Sequence, residues 1–158
     1  MIISPTVARF ICSGLGSGWV PVAPGTAGSM AATFVGWGIW HYWGAIGLMI
    51  SSILLTPLAC WACYVILSHH SDDKDPGWIV VDEWLGQWVC LFCVAMVAEL
   101  NVYWFAACFI AFRILDIAKP WPIGLVERVG PPWWSIQADD LLAGAISGTV
   151  LAGLAMSL

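Results

Sequence analysis

Long apolar tracts separated by short polar breaks organise this chain. Residues 30–68 contain no Asp, Glu, Lys or Arg, and about 20 consecutive apolar residues suffice for a helix to cross the hydrocarbon core of a bilayer. Near the middle of that tract His41, Tyr42, Trp43 and Gly44 form an aromatic, weakly polar break, which predicts a turn between two crossings. The first of these, about Gly28 to Trp40, is shorter than a usual span. Ile79 to Ala98 is apolar apart from Asp82, Glu83 and Gln87, and Tyr103 to Ile117 is apolar apart from Arg113 and Asp116. Leu141 to Leu158 is uncharged and follows directly on Asp139 and Asp140. The pattern predicts an all-α fold: a single domain over residues 1–158, forming a compact multi-pass membrane bundle of about five spans, with Pro5 to Cys12 as a short interfacial helix.

The basic residues orient the bundle, because Lys and Arg near helix ends concentrate on the cytoplasmic side. With five crossings, Arg9, Lys74, Arg113, Lys119 and Arg128 all fall on one side, whereas the breaks at His41–Gly44 and Glu99–Asn101 carry none. The N-terminus is expected in the cytoplasm and the C-terminus outside. The start of the chain lacks the basic region of a cleavable signal peptide.

Composition agrees with a bilayer protein: of 158 residues 61% are hydrophobic and 9% charged, against about 25% charged in a soluble domain. Among twelve tryptophans, Trp40, Trp43 and Trp104 gather at one predicted interface and Trp78, Trp121, Trp133 and Trp134 at the other, as aromatic belts do. Trp37, Trp61 and Trp88 read as interior filler. Cys60–Cys63 and Cys90–Cys93 have a zinc-ribbon spacing, but both pairs lie within apolar spans, where cysteine behaves as a small hydrophobe. A net charge of -5 offers no basic surface for nucleic acid, and no obligate protein partner is inferred; the expected surroundings are membrane lipids.

The candidate chemistry falls on the cytoplasmic helix ends. Asp82 and Glu83 open the third predicted span, Asp116 closes the fourth, and Asp139 and Asp140 open the fifth. Carboxylates gathered in a low-dielectric site repel one another unless something positive sits among them, and a hard divalent cation suits an all-oxygen site. Helix capping would account for one acid per helix, and Asp116 has Arg113 and Lys119 as candidate ion-pair partners three residues away on either side. Capping does not account for adjacent pairs at two helix starts. Gly14-Leu15-Gly16-Ser17-Gly18 and Pro24-Gly25-Thr26-Ala27-Gly28-Ser29 form a glycine-rich run whose backbone amides, with Thr26 and Ser29, suit an anion. It is not a P-loop.

Taken together, Gly16-Ser17-Gly18 with Pro24–Ser29, Ile79-Val80-Val81-Asp82-Glu83-Trp84-Leu85-Gly86, Phe112-Arg113-Ile114-Leu115-Asp116-Ile117-Ala118-Lys119-Pro120-Trp121-Pro122 and Asp139-Asp140-Leu141-Leu142-Ala143-Gly144 resemble the phosphatidylglycerophosphatase A family, in order and at family-like spacing from about Gly14 to Gly148. The resemblance implies Mg²⁺-dependent hydrolysis of phosphatidylglycerophosphate to phosphatidylglycerol and phosphate, a step of phospholipid biosynthesis at the bacterial inner membrane, on its cytoplasmic face. It makes Asp82, Glu83, Asp116, Asp139 and Asp140 the expected catalytic and Mg²⁺-binding residues. Arg113, Lys119, Gly25, Thr26 and Ser29 become the expected substrate-binding groups. One carboxylate would act as general base or nucleophile if it is not a metal ligand.

Two positions depart from the family pattern: Gly130-Pro131-Pro132-Trp133-Trp134 replaces a more flexible glycine-bearing loop, and Leu115 stands where an aromatic is usual. Other phosphatase chemistries lack their residues. Cys108 and Arg113 are too close for a cysteine nucleophile loop. His41 falls on the far side from His69 and His70, which read with Asp72, Asp73 and Asp75 as a solvated loop. The alternative class is a small membrane ion or solute transporter with acids at its helix ends; acids at one depth and the lack of an internal repeat argue against it.

Overall fold

The computed structural model describes residues 5–69 and 76–158, the side chain of His69 excepted, and the regular structure among them is entirely helical. Six α-helices follow in order: α1 (Pro5–Cys12), α2 (Pro24–His69), α3 (Val81–Ala95), α4 (Val102–Ala118), α5 (Ile123–Val126) and α6 (Pro132–Ala155), with a short 3₁₀ turn at Ser17–Trp19. Lys74 and the loop residues His70, Asp72, Asp73 and Asp75 lie outside the described residues.

A straight helix of the length of α2, 46 residues, would run on the order of 70 Å. It does not run straight: Gly44 adopts φ 63, ψ −157, a conformation open to glycine and strained for other residues. The chain doubles back there, since Gly25 of the first limb packs against Glu83 at the same end of the bundle where Cys63 of the second accepts a hydrogen bond from Gln137. The expected break is therefore a single residue, with His41, Tyr42 and Trp43 still helical. The first limb begins at Pro24, not near Gly28, and so reaches span length.

Among the described residues two helices, α2 and α6, are long and apolar enough to cross a membrane. The expected third span is shorter than its apolar tract, with α3 covering Val81–Ala95, whereas α4 covers the whole of the fourth, from Val102 to Ala118. The amide of Val80 donates to the carbonyl of Cys12 at 2.8 Å, and Gly18 lies so close to the Trp78 carbonyl that a β-carbon would collide. Residues 78–80 are thereby held against the α1 loop, and α3 starts only at Val81. At its other end, Asn101 accepts hydrogen bonds from the amides of Tyr103 and Trp104 and caps α4. Helix α6 differs in the opposite sense: it starts at Pro132, a residue suited to the first helical turn, rather than near Leu141.

The largest interface joins α3 to α6. A β-carbon on Gly144 would lie 2.8 Å from the carbonyl carbon of Gly86 and 2.9 Å from its Cα, and one on Gly86 would lie 2.6 Å from the Asp140 carbonyl oxygen. One turn further, Gly148 meets the backbone of Cys90. The stripes Asp82–Gly86–Cys90 and Asp140–Gly144–Gly148 therefore face each other in order, and the two helices run in the same direction, backbone on backbone, as small residues allow inside membranes.

Around this crossing Phe112, Cys108 and Leu91 are fully buried, Trp84 stands edge-on to Trp88, and the Trp88 indole donates to the Ala32 carbonyl at 2.9 Å. Trp88 is interior as expected. Trp37 faces outward at 52% exposure, beside other exposed apolar side chains such as Phe34 and Ile53. Gly144→Ala should therefore cost about 1–3 kcal/mol, as overpacking does. Gly153→Ala, where a β-carbon meets nothing, should be neutral or slightly stabilising. Thermal unfolding of the two variants in detergent checks the contrast.

Candidate active site

Both acidic motifs place a glycine one turn after an aspartate, in Asp82-Glu83-Trp84-Leu85-Gly86 and Asp140-Leu141-Leu142-Ala143-Gly144. Residues four apart share a helix face, so where the glycines let α3 and α6 touch, the aspartates are drawn together. One carboxylate oxygen from each of Asp82, Glu83 and Asp140 lies within 4.8 Å of the other two. These acids line a cavity of about 480 Å³ together with Asp116, Lys119, Glu127, Ser135 and Asp139. Asp82, Asp116, Asp139 and Asp140 are buried. The second acidic pair does not open its helix as expected: with α6 beginning at Pro132, Asp139 and Asp140 sit two turns inside it, Asp140 on the stripe that faces α3 and Asp139 turned to Lys119.

Helix α4 supplies the cations. Arg113 donates to Asp116 through a short hydrogen bond, and its Nη1 lies 3.7 Å from Glu83 Oε1. These side chains are no more than 14% exposed, so Arg113 joins α4 to α3 in a desolvated setting. Lys119 follows the helix as its C-cap, in the left-handed region at φ 41, ψ 52. Its ammonium donates to Asp139 Oδ2 at 2.7 Å and to Glu127 Oε1 at 2.8 Å. Burial alone would pull this ammonium down, but the hydrogen bonds it donates to Asp139 and Glu127 outweigh it and hold Lys119 well above the ordinary lysine range. Asp116 thus pairs with Arg113 and not with Lys119.

The expected anion-binding residues separate. Gly25 is a close-approach position: a β-carbon there would strike the Glu83 carboxylate and lie 3.2 Å from Arg113 Nη2. Ser29, one turn later, donates to the Gly25 carbonyl at 2.9 Å and accepts from Arg113 Nη1 at 3.4 Å. Both support Arg113 from behind rather than lining the cavity. Thr26 turns to another side of α2, in a hollow formed with Val22, Ala23, Ala27 and Met30. The amides of residues 14–18 donate to backbone oxygens of residues 10–14, and the loop rests on Trp84, whose indole donates to Ser17 Oγ at 3.3 Å. That glycine run is a packing device. Cys12 and Cys63 lie 3.7 Å apart through their sulfurs, linking α1 to α2, and all six cysteines are free.

Glu127 enters the site without a signal in the sequence strong enough to single it out. It follows α5, a four-residue helix, and in the string Val126-Glu127-Arg128 reads as loop charge. Its reach back to Lys119, eight residues earlier, depends on the turn made by Pro120-Trp121-Pro122.

Comparison with known proteins places the sequence in a family. The sequence profile described as phosphatidylglycerophosphatase A matches residues 10–155. Phosphatidylglycerophosphatase A of Escherichia coli (strain K12) is 37% identical over 151 residues, covering 90% of this chain and 80% of that protein. The protein of the same name from Haemophilus influenzae is 35% identical over 135 residues, covering 85% of this chain and 80% of its own. A relative from Bacteroides thetaiotaomicron, 33% identical over 90% of this chain and 89% of its own length, bears the provisional name phosphatidylinositol-3-phosphatase. No solved structure matches the chain.

Removing Arg113 should expose what it holds. Arg113→Met leaves the buried Asp116 carboxylate without its cation and should cost about 3 kcal/mol. The double variant Arg113→Met/Asp116→Asn should recover part of that loss, because the uncompensated charge goes with it. Thermal unfolding of the wild type and both variants measures the difference.

Proposed function

The chain belongs to the phosphatidylglycerophosphatase A family, and from that premise we propose that it hydrolyses the phosphate monoester of phosphatidylglycerophosphate, giving phosphatidylglycerol and inorganic phosphate. The carrying observation is the cluster of Asp82, Glu83 and Asp140 in a cavity that also holds the Lys119 ammonium. An all-carboxylate set fits Mg²⁺, which takes a few protein oxygens and leaves positions for water and phosphate. Six carboxylates line the cavity beside Lys119, with Arg113 alongside, and Glu83 Oε2 and Asp139 Oδ1 are buried without a hydrogen-bond partner. Such a site favours a further positive charge. We assign Asp82, Glu83 and Asp140 as the groups that would hold Mg²⁺, which when bound supplies Lewis-acid stabilisation of charge on the phosphoryl oxygens.

The remaining residues have separate tasks. Arg113 fixes Asp116 and Glu83, so the acids keep their places before substrate arrives. Lys119 donates to Asp139 and Glu127 at the cavity wall, and its ammonium is the cation placed to stabilise charge as it develops on a phosphoryl oxygen. Asp139 Oδ2 accepts from Lys119, which anchors that ammonium at the cavity wall. Closure of the acids around one cavity favours this reading over a transporter, whose intramembrane acids mark a path.

The same reading takes the two limbs of α2, together with α3, α4 and α6, as five crossings of the bacterial inner membrane, with the cavity on the cytoplasmic face and the product entering anionic phospholipid synthesis. It is supported by the placement of Arg9, Arg113, Lys119 and Arg128, the described Lys and Arg residues, at the cavity end. Helices as short as α3 and α4 are accommodated by local thinning or interfacial flanks.

Purified protein in detergent should release phosphate from phosphatidylglycerophosphate only with Mg²⁺ present, and the shape-preserving Asp140→Asn should slow release by roughly 100-fold or more. Faster release from phosphatidylinositol-3-phosphate would reassign the headgroup. No release from either lipid by folded protein would overturn the reading.

A further inference from the structure

Lys119 is gripped by two carboxylates that differ in one respect. The Asp139 side chain is 4% exposed and sits within α6, whereas the Glu127 side chain is 42% exposed. Glu127 follows the four-residue α5, between Pro122 and the Gly130-Pro131 corner. An exposed ion pair contributes only about 0.2–1 kcal/mol, so the bond to Glu127 is the more readily exchanged of the two. Both acids line the same cavity. The place taken by the Glu127 carboxylate is thus a place beside an ammonium, inside the cavity, already suited to an anionic oxygen.

Resting on the phosphatase reading above, we propose that Glu127 is a positioning residue that occupies the Lys119 ammonium until the phosphoryl group of the substrate displaces it, and reclaims the ammonium as inorganic phosphate leaves. The exchange replaces one anionic acceptor with another on the same cation, so Lys119 keeps its charge partner throughout. It also moves a carboxylate away from the incoming phosphate, whose approach to a wall already lined by acids it would otherwise oppose. Asp139 and the left-handed backbone at Lys119 hold the amine in place during the exchange. Glu127 lowers the affinity for phosphate in ground state and product alike, which keeps the site from stalling with phosphate bound.

The test is inorganic phosphate binding by titration calorimetry on detergent-solubilised protein, with KM and kcat for phosphatidylglycerophosphate measured beside it. Glu127→Gln should bind phosphate roughly two- to fivefold more tightly, the equivalent of an exposed ion pair. KM should fall by a similar factor with no rise in kcat. In a Lys119→Met background the same substitution should leave phosphate affinity unchanged. Unchanged or weaker phosphate binding by folded Glu127→Gln overturns the role given to Glu127, as does a raised Mg²⁺ requirement at constant phosphate affinity, which would make Glu127 a metal ligand. The wild type and Asp140→Asn separate the two layers: hydrolysis lost in Asp140→Asn with phosphate affinity unmoved in Glu127→Gln sinks only the exchange. Absence of hydrolysis by the wild type sinks both.

Discussion

The approach of α3 and α6 at Gly86 and Gly144 is the contact on which the rest of the molecule depends. Inside a bilayer, apolar burial gives helices little reason to associate, so close van der Waals packing between small residues has to supply it. Here the same packing does a second thing. Because each glycine lies one turn beyond an aspartate, the step that presses the backbones together also crowds Asp82, Glu83 and Asp140. Packing energy from the apolar part of the interface opposes the repulsion among acids at its end.

The countercharges come from a different element. Arg113 and Lys119 lie on the last turns of α4, six residues apart, and each is tied to an acid on a neighbouring helix or on its own. The three helices therefore hold one another through an alternation of charge at one end and through close-packed small and aromatic side chains along their length. Ser29 and Gly25 on α2 complete the arrangement by leaving room for Arg113 and giving it an oxygen.

Much of this was legible in the sequence, and the physical reason differs from case to case. Uncharged tracts reveal helices because a bilayer or a protein core excludes charge, and the acids at their ends stood out against that background. Helix limits were harder to read. Val80 is as apolar as its neighbours, yet its amide is taken by Cys12 across the bundle, a tertiary bond with no local signature. Asp139 and Asp140 looked like the start of a helix because the preceding Pro131-Pro132-Trp133-Trp134 looked like a loop, whereas Pro132 in fact begins the helix. The repeated Asp-x-x-x-Gly was visible, but its meaning required knowing that the two glycines meet. Glu127 was hidden for the same reason: the fold, not the spacing, carries it to Lys119.

The reversal at Gly44 bears on how such a chain enters its membrane. In the five-crossing arrangement the two limbs of α2 form a hairpin whose tip consists of His41, Tyr42, Trp43 and Gly44. No Asp, Glu, Lys or Arg lies within that tip, so none of the roughly 2.5–3.5 kcal/mol that a charged residue adds at mid-bilayer opposes its passage. During synthesis both limbs can leave the insertion machinery as one unit, with an aromatic tip that settles at the far headgroups. In that arrangement the hairpin would stand in the lipid before α3, α4 and α6 emerge, and the charged helix ends would gather against it last.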